Sequence, residues 1–149
     1  MPKIAMPKNK TVPFKAVIKK VERPFSSNPQ ESLEWICETL GFLEPIDRGK
    51  TASALFKEIL KSTQEGKRVS ATELVERVGM SRGSVVNQLA NLQRAGLIVK
   101  TGRGYSVRSK SVQRTIEEIE QDIARIFSQL KQAGAKIDEE LGVVQKGAK

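Results

Sequence analysis

Arg82, Ser84, Asn87, Gln88 and Asn91 place five hydrogen-bonding side chains within ten residues, interleaved with Val85, Leu89 and Leu92. The apolar three recur at intervals of four and three, so they share one helical face and leave the polar groups to the other. Amide side chains pair bidentately with adenine and a guanidinium with guanine, so such a face is suited to base edges in a major groove. Polar residues opposite an apolar stripe are otherwise an ordinary solvated surface. What separates the two readings is that residues 78–108 contain no Asp or Glu, the condition a row of phosphates imposes on a surface that meets it. Lys50, Ser70, Thr72, Ser81, Arg94, Lys100, Arg103 and Arg108 are candidate contacts to a phosphate backbone, which fix register without reading sequence.

Other chemistry is poorly provided for. Histidine is absent, and the one cysteine, Cys37, lies on an apolar face. That leaves no disulfide, no cysteine-rich zinc site and no activated nucleophile, and no carboxylate pair sits beside a glycine turn. Gly49, Lys50 and Thr51 echo the end of a phosphate-binding P-loop, but the position that needs glycine five residues earlier holds Glu44. No cofactor, metal or enzymatic role is expected.

Charge is unevenly spread along the 149 residues, whose formal net charge is +9. Residues 1–24 carry seven cations against one acid and residues 50–110 twelve against four, whereas 25–49 hold one against five. A basic arm and a basic central segment form the electrostatic footprint of a polyanion binder. With 38% hydrophobic and 29% charged residues the composition is that of a folded globular chain. No apolar run approaches the ~18 residues of a membrane span or follows the first lysines as a signal peptide would, so a cytoplasmic, nucleoid-associated location is expected.

Five of the six prolines fall in residues 1–30, which read as a flexible basic arm with at most one short strand inside 12–21. A helix follows over about 31–40, where Leu33, Ile36, Cys37 and Leu40 share a face and Gly41 ends it. A second is expected over 51–64, then a brief strand at 68–70, a short helix over 71–78 closed by Gly79, and a helix over 82–94 that Ser81 caps. Small Gly83 and Ser84 let the start of that helix come close to an anion. Leu97–Lys100 and Tyr105–Arg108 read as strands of a hairpin around a four-residue loop, 101–104. The fold class is therefore mainly α with a small β-wing.

The run Ala71-Thr-Glu-Leu-Val-Glu-Arg-Val-Gly-Met-Ser-Arg-Gly-Ser-Val85, followed by Leu89, Leu92 and Ala95-Gly-Leu-Ile98, resembles winged helix-turn-helix transcription regulators of the MarR and ArsR kind. The likeness covers about residues 50–108. It implies double-stranded DNA as partner, a recognition helix at 82–94 in the major groove, and Arg103 at the tip of a wing reaching the minor groove or its phosphates.

Past residue 109 the helical pattern continues to about 141, and Val112, Ile116, Ile119, Ile123, Ile126, Leu130, Ala133 and Ile137 repeat at four and three without a gap. This is a heptad seam, with Glu117, Glu118, Glu120, Asp122, Arg125, Lys131 and Lys136 off it. Exposed alone it would leave eight small or apolar side chains in water, so a coiled-coil homodimer is expected, with a disordered tail over 142–149. Isoleucine at both seam positions leans towards more than two strands in parallel coils, whereas a dimer suits a two-fold duplex. The whole reads as an arm (1–30), a winged helix-turn-helix domain with an extra helix (31–108), a dimerisation helix (109–141) and a tail. Two rivals stand beside a sequence-specific regulator: an architectural DNA-binding protein with little sequence preference, and a winged-helix module that binds other proteins.

Overall fold

The computed structural model describes residues 18, 22–25, 28–40 and 50–143. Its elements are α1 (Pro29–Thr39), α2 (Lys50–Gln64), β1 (Val69–Ser70), α3 (Ala71–Val78), α4 (Arg82–Arg94), β2 (Ile98–Thr101), β3 (Gly104–Val107) and α5 (Val112–Glu140). The fold is thus mostly helical, with one small antiparallel sheet and a long last helix. Most of the 12–21 segment, where a strand was expected, and the stop at Gly41 lie outside the described residues, as do 144–149 of the tail; Ile18 belongs to no strand.

Local chemistry sets most of the boundaries. Asn28 caps α1, its Oδ1 accepting from the Gln30 amide at 2.8 Å, and Pro29 occupies the first helical position, where a missing N–H does no harm. Ser70 and Glu73 form a reciprocal capping box at the start of α3. Gly79, at φ +67°, ends α3 in the left-handed region, and Ser81 accepts from the Ser84 amide to open α4.

The core is one cluster. Helix α2 contributes Ala52, Leu55, Phe56 and Ile59, α3 Leu74, α4 Val85, Leu89 and Leu92, and the sheet Val69, Ile98, Tyr105 and Val107. Strand order is β1-β3-β2, with Val69 opposite Tyr105 and Ile98 opposite Val107. Strand β1 pairs only with Gly104 and Tyr105, so the Val107 amide lacks a strand partner on that side. Thr63 of α2 supplies one: its Oγ1 accepts from Val107 N at 2.9 Å while donating to the Ile59 carbonyl at 2.8 Å.

One detail of the hairpin departs from expectation. Thr101 pairs with Gly104, so the loop is the two residues Gly102-Arg103 rather than four. Gly102 has φ +64° and Arg103 is not left-handed, the glycine-first pattern of a two-residue hairpin turn. Gly104 has a packing reason as well: a Cβ there would sit 2.6 Å from the Cβ of Arg68.

Helix α5 starts at Val112 rather than 109, because Lys110 takes φ +67° and Ser111 caps the helix by accepting from the Arg114 amide. The seam along it divides. Ile119 is buried in the chain's own core and Val112 and Ile123 pack against that cluster, which corrects the expectation of a uniform intermolecular seam. Ile116, between Val112 and Ile119, is exposed, and beyond Ile123 so are Ile126, Leu130, Ala133 and Ile137, together with Phe127 and Leu141, which the seam did not include. Among the described residues no helix is long and apolar enough to cross a membrane.

Candidate nucleic-acid interface

Helices α3 and α4 meet across Gly79-Met80-Ser81, and their relative placement is fixed by Leu74, Val85 and Leu89 in a shared core. Arg82, the first residue of α4, reaches back across this turn, donating from Nη1 to Thr72 Oγ1 of α3 at 3.2 Å. Strand β2 and the hairpin turn complete a cleft of about 300 Å³ lined by Ser70, Ala71, Thr72, Arg82, Lys100, Arg103 and Tyr105. Among the described residues its wall carries three cations and no acid. Lys100 Nζ lies 5.6 Å from the Tyr105 ring centroid, a cation–π distance that holds the ammonium against the buried ring. Three like charges around one concavity raise its potential for an anion.

The hydroxyls around this cleft are differently engaged. Ser70 is used up internally: its Oγ accepts from the Glu73 amide and donates to Glu73 Oε1, both at 3.1 Å. Ser81 Oγ accepts from Ser84 N at 3.2 Å, which leaves its own O–H to offer. Thr72 has one lone pair on Arg82 and is exposed.

Along α4 the structure rearranges the expected reading face. Ser84 and Asn87 are exposed. Gln88 is not: it is 5% exposed, and its outward placement is corrected. With Val85, Leu89 and Leu92 it completes an i, i+3, i+4, i+7 set, so the spacing that marked the apolar face already included it. Its Oε1 accepts from Asn91 Nδ2 at 3.3 Å, and Asn91 Oδ1 accepts from Arg94 Nη1 at 3.2 Å. Asn91 is thereby half-buried and occupied on both ends of its amide. Arg94, also half-buried, is oriented by it. Val86, an apolar residue among these polar ones, is 48% exposed on the outward side.

Two cations belong elsewhere. Arg108, expected on phosphate, points to α5: Nη1 meets Asp122 Oδ2 at 2.6 Å and Nε meets Glu118 Oε1 at 3.1 Å. The hydrogen bond to Asp122, with the charges of Asp122 and Glu118, raises its pKa against desolvation. Lys50 sits at the start of α2 beside a second cleft of about 310 Å³ that it shares with Glu22, Glu31, Glu34, Trp35 and Glu38. It is not part of the cleft that holds Arg82. Neither partner set was visible locally, since the acids that capture Arg108 are ten and fourteen residues away in sequence. Among the described residues no group of His, Cys, Asp or Glu could hold a metal ion.

No curated protein and no solved structure matches the chain. Residues 57–99 match a family model described as winged helix-turn-helix DNA-binding. That span runs from the middle of α2 through α3 and α4 into β2; it includes Ser70, Ala71, Thr72 and Arg82 of the cleft and stops short of Lys100, Arg103 and Tyr105. The match names no narrower group, neither the MarR nor the ArsR kind. The helix-turn-helix of α3 and α4 and the three-stranded sheet agree with that winged helix-turn-helix DNA-binding model over residues 57–99.

Proposed function

We propose that the chain is a homodimeric, sequence-specific transcription regulator that sets α4 in the major groove of double-stranded DNA and the Gly102-Arg103 turn at the flanking minor groove. The observation that carries this is the juxtaposition of an acid-free α4 surface with the cleft formed by Arg82, Lys100 and Arg103. In this arrangement the three cations hold phosphates, with Thr72, Ser81 and Arg94 as further backbone contacts, and bases are left to the exposed part of α4. The basic stretch 1–24 adds contacts that do not depend on sequence. The exposed stripe Ile126, Leu130, Ala133 and Ile137 joins two copies, presenting two α4 helices roughly 34 Å apart along a two-fold site.

An architectural protein with little sequence preference is the second reading, and one observation favours it: burial of Gln88 and engagement of Asn91 shorten the surface able to read bases. Selection of the full chain against a random duplex pool, followed by footprinting, decides. A two-fold symmetric enriched site supports the regulator, and binding without enrichment replaces it with the architectural reading. No duplex binding at moderate salt removes both.

A further inference from the structure

The buried side of α4 is Val85, Gln88, Leu89 and Leu92. Displaced from it by two residues, or about 200° around the helix at ~100° per residue, is a second i, i+3, i+4, i+7 set: Gly83, Val86, Asn87 and Ala90. These four make one continuous patch. Gly83, Val86 and Asn87 are exposed and Ala90 is half-buried. The patch is nearly without bulk at its two ends and carries one amide and one branched apolar group at its centre.

Nothing among the described residues explains Gly83. Its φ is not in the left-handed region, and a Cβ built on it would meet nothing within 4 Å. Alanine is the better helix former, so even in the first turn of α4 the packing of the described residues does not call for a glycine. A surface that must come within van der Waals distance of α4 would require it. Of the other candidates for base contact, Ser84 stays exposed with a short hydroxyl, whereas Arg82 is drawn to Thr72, Gln88 into the core, and Asn91 to Gln88 and Arg94.

We infer that this patch recognises an A·T base pair, with the Asn87 amide on the adenine edge, the Val86 methyls against the thymine 5-methyl group, and Gly83 and Ala90 allowing the helix to approach the groove floor. Adenine offers N7 as acceptor and N6 as donor, which matches one asparagine amide, and thymine alone presents a methyl in the major groove. A guanine-reading arginine has no place in the patch. The inference rests on the docking of α4 proposed above and adds the class of sequence it takes.

The test uses the duplex enriched by the full chain, synthesised with thymine replaced by uracil one A·T pair at a time. For the wild-type chain, one replacement in each half-site lowers affinity about fourfold, the worth of one buried methyl. In Val86→Ala that difference between thymine and uracil disappears. Asn87→Ala loses about tenfold or more at the same pair and little elsewhere. Gly83→Ala binds more weakly while its thermal midpoint is unchanged or higher, which separates close approach from folding. An enriched site whose thymine and uracil forms bind alike, or a uracil effect that persists in Val86→Ala, overturns the inference and leaves the regulator reading standing. Failure to enrich any sequence overturns both.

Discussion

The Arg108 guanidinium, one residue past β3, closes on the Asp122 carboxylate of α5 at 2.6 Å, while the same carboxylate also takes Arg125 from its own helix. Both Arg108 and Asp122 are shielded, at 25% and 18% side-chain exposure. The pair ties the long helix to the sheet at one defined turn, with Ile119 and Ile123 packed close by along the helix.

This ion pair makes stability depend on pH in a calculable direction. The hydrogen bond from Arg108, with the charges of Arg108 and Arg125, holds the Asp122 carboxyl below its ordinary value against desolvation. A depressed native pKa stabilises above the ordinary value of 3.8 and loses that contribution as pH falls through the native value. Asp122→Asn is expected to lower stability by about 1–3 kcal/mol at neutral pH. Its denaturation midpoint should converge with that of the wild type as pH drops below 3.8. A gap that stays constant to low pH would mean that the carboxylate charge contributes nothing.

Gly104→Ala tests the other close approach in the sheet. Its new methyl group would lie 2.6 Å from the Arg68 Cβ, a backbone-near atom that cannot swing away. Strand β1 must shift, and overpacking of this kind is destabilising by about 1–3 kcal/mol. Urea unfolding monitored by circular dichroism measures it. Because Tyr105 and Lys100 adjoin the strained pairing, duplex affinity should fall as well.

The division of the α5 seam predicts two outcomes from one kind of substitution. Ile119→Ala removes a buried side chain and should destabilise the protomer by about 2–5 kcal/mol. Leu130→Asp alters a side chain that is 58% exposed, so the winged-helix domain should keep its circular dichroism spectrum while the chain sediments as a monomer. If Leu130→Asp leaves the assembly intact, the exposed stripe is not where the copies meet.

The architecture could be read from the chain because each boundary has a local cause. Ser70, Gly79 and Ser81 act within one turn of themselves, and the apolar spacing of α2, α3 and α4 is regular. Where reading failed, the deciding partner was distant or geometric. Arg108 looked like a free cation because Glu118 and Asp122 reach it only after α5 folds back on the sheet. Gln88 reads as outward from its residue type, although 85, 88, 89 and 92 is a helical face. Val86 carries no hydrogen-bonding group, so its residue type gives no sign of a surface that also offers methyl contacts. The seam read as uniform because a heptad pattern does not say whether its partner is a second copy or the chain's own core.

Salt dependence of duplex binding tests the central claim most directly. For the full chain, log affinity should fall linearly with log salt, and Arg82→Ala, Lys100→Ala and Arg103→Ala should each flatten that slope by about one while weakening all sequences alike. A slope unchanged by all three substitutions, or no duplex binding at moderate salt, would contradict the assignment of the cleft between α3, α4 and the wing to the phosphate backbone.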